Sequence, residues 1–307
     1  MIFVENVFPH VARFVEDGLS VALVTLISVE GSSPRPVGAM IGVASDGRSV
    51  GMITGGCAEK AIVEEALQCL QRGENKIVRY GAGSPYLDVV LPCGSGIDLL
   101  IDVESAQDIV ASVNNLHASR QPAFLFIDPE AGKASIAAEG SALGDQWRQI
   151  AQYDPEYRVC VFGEGANLVA FCKIARQAGY ATLAFSPDKD ALEYLSGADV
   201  PGRPIHRNSD FNAMGFDNFS AVVTLFHEHE WETPILTAAL NSIAGYIGAL
   251  GSRKTHQLRL DALSAGPATR QPPAMVRGPV GLDIGAANPN EIAISILAEI
   301  TQHRRRR

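Results

Sequence analysis

Along residues 6–18, NVFPHVARFVEDG, apolar side chains recur at the three- and four-residue spacing of a helix face, and Gly18 ends the run. The next stretch, VALVTLISV, is mostly apolar and predicts a buried strand. A turn-rich segment, EGSSPRPVG (30–38), leads into AMIGVAS, and Asp46-Gly47 reverses the chain into a second strand over 48–54. After Gly55-Gly56-Cys57, Ala58, Ile62, Ala66 and Leu70 mark a helix over 58–71, with Gly73 placed as its C-terminal cap. Two strands follow, NKIVRYG and GIDLLIDV (96–103), then a helix near 105–118 and the strand PAFLFID.

Between 128 and 157 the chain turns polar and rich in small residues, which places a domain boundary near 150, between a first domain over 1–150 and a second over 151–307. The second half opens strand, glycine turn, helix, strand over 157–190, the first unit of a doubly wound parallel sheet. FSAVVTLF (219–226) reads as another buried strand. The last helix is announced by Asn288 as N-cap, Pro289 at its first position and Glu291 three residues after the cap. The expected fold is α/β: a mixed α/β N-terminal domain and a Rossmann-like C-terminal domain.

Composition narrows the function. A net charge of −9 argues against a nucleic-acid partner, which needs a basic face to displace counterions. Arg304–Arg307 read as a solvated tail. No apolar run is long enough to cross a bilayer, and the N-terminus lacks a basic segment followed by a long apolar one, so a cytoplasmic protein is expected. Five cysteines (57, 69, 93, 160, 172) without a CxxC pair point to reduced thiols.

Candidate chemistry concentrates in glycine-flanked loops. Cys57 admits two readings: a small apolar residue in a tight corner, or a displayed thiol at a helix start, where unpaired amides stabilise a thiolate. Gly55 and Gly56 would let a ligand approach those amides, which suit an anion such as phosphate. Cys93-Gly94, in LPCGSG, is a second such thiol loop, whereas Cys69, Cys160 and Cys172 fall on apolar faces and read as core. Arg35, beside Ser32 and Ser33, is either solvated or part of an anion-gripping loop. The turn GEGANL (163–168) supplies Gly163 and Gly165 of a dinucleotide fingerprint. It has Leu168 at the third glycine, and Ser186 where an acid would meet a ribose, which disfavours NAD(P). HEHEWE (227–232) offers His227, Glu228 and His229 as metal ligands if the strand continues through them; the alternative is a solvated strand end. Arg253 and Lys254, in GSRKT, could hold an anion at a helix start.

The order GSSPRPVGAM, GMITGGCAEKAI, LPCGSGIDLLID, VVTLFHEHE, YIGALGSRKT and GPVGLDIGAANPNEIAISILAEI resembles the XdhC/CoxI family of xanthine dehydrogenase accessory proteins nearly end to end. The resemblance implies a protein that binds and protects the molybdenum cofactor, supports its sulfuration by a cysteine desulfurase, and inserts it into a xanthine dehydrogenase-type enzyme. It also implies a homodimer. The family's GGC and CG motifs fall on Gly55, Gly56, Cys57, Cys93 and Gly94, and its PR and GSRK positions on Arg35, Arg253 and Lys254. Four positions depart from its usual pattern: Ala166, Leu168, Ser186 and Ser95. The competing expectation is an NAD(P)-dependent oxidoreductase built on the second domain.

Overall fold

The computed structural model describes residues 4–84, 94–141, 143–226 and 229–306. Cys93, His227 and Glu228 therefore lie outside the described residues, as does the side chain of His229. The chain forms two compact units, Met1–Pro155 and Glu156–Arg307.

In the first unit β1 (Val21–Glu30), β2 (Met40–Ala44), β3 (Ser49–Gly51), β4 (Lys76–Gly81) and β5 (Gly96–Asp102) pair in the order β3-β2-β1-β5-β4, each pair antiparallel. Helix α2 (Glu59–Arg72) covers one face, burying Ile62, Ala66 and Cys69 against Val24, Leu26, Ile41 and Leu99. Helices α1 (Phe8–Glu16) and α3 (Ala106–Ala118) cover the other, with Phe8, Val11, Ile109 and Val113 against Val21, Leu23 and Leu100. Coverage on both faces explains the buried first six residues of β1, Val21–Leu26.

The polar stretch after residue 128 is not a linker. It contains β7 (Lys133–Ala137) and β8 (Arg148–Tyr153), which flank β6 (Ala123–Asp128) in a three-stranded antiparallel sheet. Small and polar residues such as Ala134, Ser135, Gln149 and Gln152 make β7 and β8 read as loop, although Ala134, Ile136, Ile150 and Tyr153 pack on the core, and the unit ends after Pro155, once β8 is complete. The strand expected over 48–54 is shorter, ending at Gly51, because the next backbone amides bond to a side chain rather than to a ladder.

The second unit contains β9 (Arg158–Gly163), α4 (Gly165–Gln177), β10 (Ala181–Ser186), α5 (Lys189–Ser196), β11 (Gly202–Pro204), β12 (Ser220–Leu225), α6 (His229–Asn241), β13 (Tyr246–Ala249), α7 (Arg253–Ala265), β14 (Val276–Arg277) and α8 (Pro289–Arg305). All six strands are parallel, in the order β11-β10-β9-β12-β13-β14. The order reverses between β9 and β12, the arrangement of a Rossmann fold. Alternation along β9 sends Val159 and Val161 to the α4–α8 layer, and Cys160 and Phe162 to the α6–α7 layer. Asn288 caps α8 as expected, accepting from the amides of Asn290 and Glu291.

Candidate cofactor-binding site

Strand directions carry the motif loops of the first unit to one end of its sheet. The end of β1, the end of β4 and the start of β5 meet where Glu30 and Gly81 both pair with Gly96, and the end of β3 lies beside the start of β2. Gly31 sits close to Ser95, since a Cβ built on it would lie 3.4 Å from the Ser95 Cβ. Gly55 sits close to Pro34, with a built Cβ 3.9 Å from the proline ring. The fold thus gathers the Arg35 loop, the Gly55–Cys57 turn and Gly94 at one sheet end, although they are dispersed in sequence. Arg35 is half-buried, with its amide bonded to Ser33 Oγ at 3.3 Å. The Tyr153 hydroxyl donates to the Gly38 carbonyl at 2.8 Å and anchors the far end of that loop to β8.

Cys57 resolves to the displayed reading. It is exposed, while Cys69, Cys160 and Cys172 are buried in the cores, where burial pushes the Cys172 thiol up to about 12. The turn reaches Cys57 through two glycines with positive φ, +78° at Gly55 and +109° at Gly56, which side-chain-bearing residues rarely adopt. A Cβ on Gly56 would meet nothing within 4 Å, so the turn is open on that side of the second glycine.

The amides of this turn are not all available to an outside anion, contrary to the sequence expectation. Glu59, buried in the first turn of α2, accepts from the amides of Ile53 at 3.1 Å, Thr54 at 2.6 Å and Gly56 at 2.8 Å, and from the Thr54 hydroxyl at 2.5 Å. The Thr54 oxygen in turn accepts from Ala58 N at 3.0 Å. Burial alone would raise the Glu59 carboxyl; the bonds from the Thr54 hydroxyl and amide and from Ile53 outweigh it and hold it below its usual range. Sequence reasoning missed Glu59. Its signal was an acid three residues after Gly56, at the first position of α2, where a carboxylate can take up unpaired amides preceding the helix. Arg79, also missed, lies at the same sheet end, held by Glu30, Asp98 and the Ala82 carbonyl.

In the second unit Gly163 has a packing role. A Cβ there would lie 2.8 Å from the Leu225 Cβ, so the glycine lets β9 and β12 lie together at the switch point. Gly165, at the start of α4 with φ +64°, faces open space. Leu168 is fully buried in the α4 core, and Asp188 caps α5 through Ala191 N while its own amide bonds to Ser186 Oγ. Arg253 and Lys254 are exposed on the first turn of α7, with Ser252 as N-cap.

Strand β12 ends at Leu225 and α6 opens at His229; the metal reading of HEHEWE falls on His227, Glu228 and the His229 side chain, which lie outside the described residues. Among the described residues no group of three His, Cys, Asp or Glu side chains is placed to hold a metal ion. Within that motif sequence reasoning also missed Glu232, whose carboxylate is buried. It forms a buried pair with Arg259 (Nη2 to Oε2, 3.0 Å), accepts from the Thr224 hydroxyl at 3.1 Å, and leaves Arg259 to donate to the Leu250 carbonyl at 2.6 Å. The loops after β12 and β13 are thereby tied together at the carboxyl ends of the strands.

A separate cavity of about 410 Å³ lies beside edge strand β14, and it contains none of the candidate residues. Its polar wall is a network: Tyr246 donates to Glu299 at 2.8 Å, and Arg277 bonds to Glu299 at 3.3 Å and to His303 Nδ1 at 3.1 Å. Among the described residues no helix is long and apolar enough to cross a membrane.

These features define a class: an antiparallel α/β unit that displays the Cys57 thiol, joined to a doubly wound unit lacking the full dinucleotide fingerprint. The profile of the XdhC and CoxI family matches residues 14–81, and that of the XdhC Rossmann domain matches residues 159–300. The chain is 34% identical over 292 residues to the molybdenum cofactor insertion chaperone PaoD of Escherichia coli K12, across 94% of this chain and 84% of that protein. It is 27% identical over 328 residues to a protein of Bacillus subtilis 168 named as a probable xanthine dehydrogenase component, across 95% of each. A crystal structure of a xanthine dehydrogenase from Bacillus halodurans matches with a TM-score of 0.74 at 24% identity, over 98% of this chain and 96% of that one, a likeness of fold alone. The chain belongs to the XdhC/CoxI family.

Proposed function

We propose that this protein is a molybdenum cofactor chaperone: it binds the cofactor as cargo, shields it, supports its sulfuration, and inserts it into a xanthine dehydrogenase-type molybdoenzyme. The observation that carries this reading is the exposed Cys57 on its double-glycine turn, gathered at one sheet end with the Arg35 loop and Gly94. The relative named as an insertion chaperone supports it across nearly the whole chain. The cargo carries soft sulfur, a metal and a phosphate, and a displayed thiol beside an arginine-bearing loop suits such a ligand. Cys57, with Cys93, contacts the molybdenum end or relays sulfur from a cysteine desulfurase. Arg35 serves the anionic end within the first unit, and Arg253, Lys254 and the open face of Gly165 are the second unit's own candidates for holding an anion. The protein works in the cytoplasm as a homodimer.

The test is anaerobic binding of the cofactor to purified protein, then transfer to a cofactor-free xanthine dehydrogenase-type enzyme. Wild type is expected to bind and to restore activity, and Cys57→Ala to lose most of both. Equal performance by Cys57→Ala would overturn the thiol role. Micromolar NAD(H) or NADP(H) binding with hydride transfer would instead establish the oxidoreductase alternative.

A further inference from the structure

We propose that Glu59 is the positioning residue of the Cys57 turn: its carboxylate is a resident anion that fills the turn's amide cradle and fixes the backbone from which the thiol projects. The inference deepens the chaperone reading and rests on it for the identity of the cargo.

The geometry is specific. Four donors converge on one side chain, two on each oxygen: the amides of Ile53 and Thr54 on Oε1, and the Gly56 amide and Thr54 hydroxyl on Oε2. The donors span the whole approach to Cys57, from the end of β3 to the second glycine. The two glycines have no side chains to hold their positive φ values, so a tether from outside the turn must hold that conformation. Glu59 supplies it from α2, which is itself anchored by Ile62 and Ala66 in the core. The carboxylate also occupies the amides of Ile53, Thr54 and Gly56, so the phosphate of an incoming cargo is not gripped by them. This turn presents sulfur, and phosphate recognition belongs to side chains elsewhere.

Glu59→Gln tests this, because the amide keeps the shape but replaces one acceptor oxygen with a donor facing Gly56 N–H. Two measurements are made on the full chain: amide hydrogen exchange, and anaerobic binding of the molybdenum cofactor scaled to the folded fraction. The expected result is loss of protection at residues 53–57 with the rest of the first unit unchanged, and cofactor affinity weakened at least ~10-fold, as for a site whose competent conformation falls below a tenth of the population. Thr54→Ser, which keeps the hydroxyl, is expected to behave as wild type. Two results would overturn the proposal: unchanged protection at 53–57 in Glu59→Gln, or protection lost evenly across the unit with affinity tracking only the folded fraction. Cys57→Ser separates the two layers. If it binds cofactor as wild type does, the thiol role fails, and if wild type itself binds none the chaperone reading fails; in either case the exchange data still decide whether Glu59 fixes the turn.

Discussion

Glu232→Ala would leave the Arg259 guanidinium in the interior without its carboxylate. Both side chains are only 3% exposed, the pair is bidentate, and Arg259 also holds the Leu250 carbonyl. Removing one partner of such a pair costs about 3–5 kcal/mol, chiefly the penalty of an uncompensated buried charge. A domain has about 5–15 kcal/mol in all, so the loss is a large fraction of the second unit's stability. At roughly 2–4 °C per kcal/mol for a unit of this size, its midpoint should fall by about 6–20 °C. Trp147 and Trp231 are the two tryptophans, one in each unit, so in a Trp147→Phe background fluorescence reports the second unit alone. The double variant Glu232→Met/Arg259→Leu should recover most of the loss, because apolar side chains of similar size often replace a buried pair at little cost. A midpoint shift under about 2 °C for Glu232→Ala, or a double variant no more stable than the single one, would refute the assignment of this pair as a desolvated ion pair.

Three further outcomes are expected. Under native conditions iodoacetamide should modify Cys57 while Cys69, Cys160 and Cys172 stay protected until denaturant is added, as read by peptide mass spectrometry. Gly163→Ala should destabilise the second unit by about 1–3 kcal/mol in urea unfolding, because the added methyl meets the Cβ and backbone of Leu225 and must push β9 from β12. His256 is held below its usual 6.5 by burial and then by Arg259, so below about pH 6.5 the unfolded chain takes up a proton that the native state does not. Its contribution to stability is present above that pH and is lost as pH falls towards the folded value; His256→Gln should flatten this part of the stability–pH curve.

Much of the fold was legible because its signals are local. The apolar runs of β1, β9 and β12, the Gly73 and Asn288 caps and the helical spacing of α2 are each written within a dozen residues, where period and capping act. The strands β7 and β8 were illegible because small and polar residues dilute the apolar signal of Ile136, Ile150 and Tyr153; their pairing with β6 made them strands. The candidate site divides in the same way. The sequence by itself determined that a thiol would follow two glycines at a helix start, and that a glycine turn would open a doubly wound unit. Only the tertiary structure decided that Cys57 faces solvent, that Glu59 occupies the amides expected for an anion, and that Gly163 is small because a strand lies against it. It also decided that Glu232 has a buried partner 27 residues along the chain in Arg259. The physical reason is range: turns and helices follow from neighbours along the chain, but exposure and charge pairing depend on which distant segments the packed sheets bring into contact.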